Sequence, residues 1–170
     1  DPELKLLADT FNAPFTLYSK NIGGSFRNSS TKMNIKMLLF EGGKSLDINN
    51  EVANEGINGV KRVLAYLDML DPKHTIEIPE NKTIYIEKSN WVRAKCSGML
   101  HDYNTIGTFV KKGTILATIT DPFGKFERKI KAPNDGYVIN SNQSPIVYVG
   151  DAIFHLSISL VPEKNKATSQ

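Results

Sequence analysis

The chain has 170 residues, 40% of them apolar and 23% charged, with a formal net charge of +3. That is the composition of a soluble globular protein of one ordinary domain or two small ones, and its apolar runs are too short to span a bilayer. The charge is too small for nucleic-acid binding, 125–131 is the only basic cluster, and the single cysteine, Cys96, excludes an internal disulfide.

Asp1-Pro2-Glu3 has the form of a helix start: a cap, proline at the first helical position, then an acid in the first turn. Leu4, Leu7, Ala8 and Phe11 follow at helical spacing, and Asn12-Ala13-Pro14 ends the helix. Phe15 to Tyr18 reads as a short strand. Ser25 then caps a short helix running to about Met33. Ile35 to Phe40 is a nearly continuous apolar run that stops at Glu41-Gly42-Gly43. A run of this kind predicts a strand buried on both faces of a parallel sheet.

Glu41 would then stand at the carboxyl end of that strand, where open α/β sheets bind their ligands. A desolvated acid facing a cleft has the raised affinity for a proton that a general base needs. The plain alternative is an ion-paired acid at a strand end. Asn49 or Asn50 caps a long amphipathic helix over 51–70. Its apolar stripe runs through Val52, Gly56, Gly59, Val63 and Tyr66, with Glu55, Lys61 and Arg62 assigned to the polar side. The two glycines fall mid-stripe and predict close packing on the sheet.

Asp71-Pro72 ends this helix, and the patterning changes to short strands and turns. Strands are predicted near 75–78, 83–87, 91–96, 116–120, 125–131, 136–140, 146–149 and 153–158, with a hairpin turn at Pro79-Glu80-Asn81-Lys82. The predicted organisation is an α/β part at 1–72, a β part at 73–160 and a polar tail at 161–170. Cys96 reads as a small buried apolar residue, and its solitary state fits a reducing, cytoplasmic setting. The start at Asp1, without an initiator methionine, reads as a cut.

Three patterns in the second half recur in a known order: Val110-Lys111-Lys112-Gly113, then Ala132-Pro133-Asn134-Asp135-Gly136, then Val149-Gly150-Asp151. Over about 97–157 this resembles the biotinyl/lipoyl-like barrel. In carrier members the modified lysine lies in a hairpin upstream of the Ala-Pro, which points to Lys125. Its neighbours Gly124 and Phe126 are not the methionines that flank a biotinylated lysine. A solvated hairpin lysine is the expectation.

A broader resemblance covers about residues 1–160. Gly24-Ser25-Phe26-Arg27, Leu38 to Gly43, Val63 to Leu70, Lys111 to Leu116 and Asp121-Pro122-Phe123-Gly124 resemble the succinylglutamate desuccinylase/aspartoacylase family. The resemblance implies the C-terminal half of a carboxypeptidase-like α/β domain followed by a small β barrel. It implies a zinc amidohydrolase acting on N-acyl amino acids or related small amides, with Glu41 as general base. It places Arg27 where the family often has an arginine that can fork onto a substrate carboxylate. A surface arginine on a short helix is the alternative there.

The family takes its zinc ligands from an early His-x-x-Glu motif and a later His. This sequence has only His74, His101 and His155, none at ligand spacing, so zinc ligands are expected upstream of Asp1. A non-catalytic binding or carrier module built on the barrel is the competing reading. No nucleic-acid or membrane partner is expected, and homo-oligomerisation stays open.

Overall fold

A computed structural model describes residues 1–44, 47–80, 83–103 and 106–162. The chain divides into two compact units, Asp1–Ile84 and Tyr85–Gln170.

The first unit is mainly helical. Helix α1 (Pro2–Phe11) begins at Asp1, whose carboxylate accepts the Glu3 and Leu4 backbone N–H groups. It ends at Asn12, which takes the left-handed conformation that closes many helices. Strand β1 (Phe15–Leu17) and helix α2 (Phe26–Lys32) follow. Ser25 caps α2 by accepting the Asn28 N–H.

The long helix α3 (Asn50–Tyr66) is capped by Asn49 and stops short of Leu70, with Asp68 left-handed just beyond it. Helix α1 packs on α3. The α3 glycines receive aromatic rings rather than a sheet. A Cβ on Gly59 would lie 2.5 Å from the Phe11 ring, and one on Gly56 would lie 2.7 Å from Phe40. The Phe11 and Phe40 rings themselves meet at 5.3 Å.

Residues 35–40 do not form the expected buried strand. They carry no ladder, and Leu39 is 59% exposed. An apolar run becomes a buried strand only where neighbours supply both its hydrogen-bond partners and its two covering layers. Among the described residues no strand pairs with it.

Residues 75–78 likewise form no strand, and the hairpin turn predicted at 79–82 lies partly outside the described residues. The segment after Pro72 returns to the first unit instead. The Asn12 side chain donates to the Pro79 carbonyl and accepts from the Thr83 hydroxyl, and the Ile84 N–H donates to the Pro14 carbonyl.

The second unit is all β and antiparallel. Its strands are β2 (Ile84–Arg93), β3 (Gly98–Asp102), β4 (Phe109–Val110) and β5 (Ile115–Thr120). After them come β6 (Glu127–Lys131), β7 (Gly136–Ser141), β8 (Ile146–Val147) and β9 (Ala152–Leu160). One sheet runs β2-β9-β7-β4 and the other β6-β5-β3-β8.

The expected barrel is therefore a pair of sheets whose described ladders do not close. Strands β4 and β8 are two residues long, too short to carry pairing from one sheet to the other. Leu116, Ile119, Val138, Val147, Ile153, Phe154 and Leu156 fill the core between the sheets. Most of the predicted tail, 163–170, lies outside the described residues.

The first two sequence patterns of this unit meet through hydrogen bonds, and the third bonds to the end of β2. The Gly113 N–H donates to the Ala132 carbonyl, and the Asp135 carboxylate accepts the Lys112 N–H at 2.8 Å. The Gly150 N–H donates to the Ala94 carbonyl. Gly136 is required by close approach, since a Cβ there would lie 2.2 Å from the Ser157 carbonyl oxygen.

Candidate active site

Glu41 lies in an extended segment anchored on both sides. Phe40 seats its ring on Gly56 of α3, and Gly42 sits against Val52, whose Cγ1 would lie 2.5 Å from an added Cβ. Gly43, at φ +99°, turns the chain away in a conformation that glycine tolerates. The backbone around Glu41 is thus held while its side chain is exposed. The burial expected at a strand end is absent from this chain, because the strand itself is absent. Among the described residues Glu41 makes no ion pair, so the plain alternative of an ion-paired acid has no partner here.

Arg27 occupies the first turn of α2. One of its terminal nitrogens donates to the Ser19 hydroxyl at 3.1 Å and the Lys20 carbonyl at 3.2 Å. This ties the guanidinium to the preceding loop and leaves its other N–H groups uncommitted. The clasp stands on α2 itself, whose serine cap fixes where the helix starts.

The three histidines occupy separate elements. His74 ends a short 3₁₀ turn, His101 on β3 meets the Thr120 hydroxyl at 3.0 Å, and His155 on β9 meets the Ser89 hydroxyl at 2.9 Å. Among the described residues no three His, Cys, Asp or Glu side chains group as a metal site requires. The described residues do not, by themselves, fit zinc. Lys125 lies in the exposed turn between β5 and β6, its ammonium 5.6 Å from the centre of the Phe123 ring. No described helix is long and apolar enough to cross a membrane.

Arg62 went unrecognised in the sequence. It is 3% exposed, and its guanidinium donates twice to the Phe11 carbonyl, at 3.1 and 2.6 Å, and once to Glu55. It closes the carboxyl end of α1, where cations are favoured. The available signal was its spacing: Arg62 lies three residues beyond Gly59 and seven beyond Glu55, on one helical face.

In fold the chain is similar to solved succinylglutamate desuccinylase/aspartoacylase family proteins. The succinylglutamate desuccinylase of Silicibacter sp. TM1040 superposes with a TM-score of 0.79 at 16% identity, over 94% of this chain and 49% of that one. A succinylglutamate desuccinylase/aspartoacylase from Rhodobacter sphaeroides gives 0.77 at 20% identity, over 96% and 52%. The product-bound ectoine utilization protein EutE (DoeB) of Ruegeria pomeroyi gives 0.80 at 17% identity, over 93% and 49%. The chain thus spans about half the length of these structures. The sequence matches no protein-family model and no curated protein.

Proposed function

We propose that this chain is the C-terminal portion of a hydrolase that removes the acyl group from N-acyl amino acids or related amides. The observation that carries the reading is the superposition of more than nine-tenths of the chain on two proteins named as desuccinylase or aspartoacylase.

In this reading Glu41 accepts a proton from the attacking water as its oxygen bonds to the amide carbonyl carbon. The carbon–nitrogen bond then breaks, and Glu41 returns the proton to the departing amine. The free N–H groups of Arg27 grip a carboxylate of the substrate. Zinc, which the family resemblance implies, would be held by residues outside this sequence.

Two features support the larger domain. The apolar run 35–40 is exposed, and so are Ile57 and Val60 on α3, at 53% and 52%. An exposed, extended apolar run, beside a helix with a second apolar side, suits an α/β layer that continues beyond this segment.

The test is Glu41→Gln in the intact polypeptide, assayed on a panel of N-acyl amino acids with metal content measured on each variant. The expected result is a rate lower by about 10² to 10⁴, with substrate affinity and metal content unchanged. Activity near wild type per folded, metal-loaded molecule would remove Glu41 from the mechanism.

A carrier role for the β unit is the second reading, favoured by the exposed position of Lys125 in a hairpin turn. Intact mass from the native host decides it, since a cofactor mass on Lys125 would reverse the ranking.

A further inference from the structure

The second unit carries a concavity whose chemistry the proposed hydrolysis does not use. Trp91, Pro133 and Asn134 are among the residues that line it. Trp91 is the only tryptophan of the chain and is 36% exposed. It lies opposite His155 in the β2–β9 ladder, and the two rings stack at 4.7 Å and 9°. The Ser89 hydroxyl in turn fixes His155. The indole is therefore held before any ligand arrives, so little side-chain freedom remains to be lost on binding.

Arg93 and Lys95 line the same concavity. Arg93 follows Trp91 by two residues within β2, the period that keeps side chains on one face of a strand, and Lys95 lies in the bend just beyond the strand's end. One Arg93 nitrogen donates to the Gly150 carbonyl at 2.8 Å, which orients the guanidinium and leaves its other N–H groups open. Among the described residues neither cation is ion-paired. Two cations without ion pairs near a fixed indole offer a receptor for charge and for a flat surface together.

We propose that this concavity binds a small anion bearing a planar ring, the ring stacking on Trp91 and the anionic group meeting Arg93 and Lys95. An aromatic carboxylate and a nucleoside monophosphate share this chemistry.

Trp91 reports on the site directly, because all indole emission of the chain comes from it. The whole chain is titrated with benzoate and with adenosine monophosphate. Benzyl alcohol and adenosine supply the ring without charge, and inorganic phosphate supplies charge without a ring. The expected result is a saturable change in Trp91 emission with benzoate or adenosine monophosphate, whichever is bound identifying the source. The matched uncharged or ringless probe should bind at least about ten-fold more weakly.

Lys95→Ala is the cleaner variant, because Lys95 has no other partner among the described residues. It should weaken binding by about ten-fold and flatten its salt dependence. Arg93→Ala should weaken it further, with circular dichroism confirming the fold. Equal affinity for charged and uncharged rings, an absent or unsaturable response, or binding unchanged in Lys95→Ala would overturn the proposal. So would affinity that grows with the length of a single-stranded oligonucleotide, which would make the face a nucleic-acid surface.

Discussion

Arg62 shows what one buried cation can do in a small helical unit. Its guanidinium satisfies the last carbonyl of α1 and pairs with Glu55, whose own side chain is 38% exposed. Replacing Arg62 by alanine strands the Phe11 carbonyl and opens a gap between the helices. The first unit should lose about 3 kcal/mol, the scale for breaking a buried pair. Glu55→Gln should lose less than about 1 kcal/mol, because water still reaches that end. Denaturant unfolding of the two variants reads the difference, and equal losses would show that the ion pair outweighs the carbonyl contact.

Asp135 makes the complementary case at the surface. The Lys112 backbone N–H and then the Lys111 ammonium hold its carboxyl below the ordinary value of 3.8. A depressed carboxyl adds stability above its unfolded value, and that stability fades as pH falls through the folded one. In an acid titration the Asp135 carboxyl carbon and the Lys112 amide should move together, with a midpoint below 3.8. Asp135→Asn should remove that transition from the Lys112 amide.

At the scale of elements, α3 was largely legible and the segment before it was not. The helix, its asparagine cap and its mid-stripe glycines follow from local chemistry: a side-chain oxygen for a free N–H, and a 3.6-residue period. The apolar run 35–40 misled because burial is a property of neighbours, and its sequence states only a demand for them. Arg62 was hidden because charge was assigned to the solvent side. In the β part, the short strands at 98–102 and 109–110 carry too few residues for a period of two to show. The continuity of β2 across Lys88 and Asn90 was masked by polar residues on its outer face.

The glycines of α3 lead to a prediction at this scale. Alanine in place of glycine favours a helix interior by about 1 kcal/mol. At Gly59 the new Cβ meets Phe11, which is buried at 9% exposure and cannot withdraw. At Gly56 it meets Phe40, which is 40% exposed and can swing aside. Gly59→Ala should therefore destabilise by about 1–3 kcal/mol despite the helix gain. Gly56→Ala should be neutral or slightly stabilising. Thermal melts of both variants test the ordering, and a stabilised Gly59→Ala would show that Phe11 is free to move.

At the scale of the molecule, the β unit has the properties of an independent domain. Its two ends meet: the Val161 N–H donates to the Tyr85 carbonyl, and Ile86 pairs with Leu160. Close termini and a private core are what allow a segment to fold alone. That core is continuous from Ala94 to Leu156 and draws on both sheets. The segment 85–162 expressed by itself should give a dispersed amide spectrum. Its slowest exchange should fall at Leu116, Ile119, Val138, Phe154 and Leu156, which are at most 1% exposed. Strands β4 and β8 should exchange sooner, because two residues hold few ladder bonds and little buried surface. The first unit alone should behave differently, because its exposed run 35–40 and the outer side of α3 favour association. Added charge on that run, as in Leu39→Lys, should reduce its self-association without changing its helix content. A molten spectrum from 85–162, with no slowly exchanging strands, would show that the β unit depends on the rest of the chain for its packing.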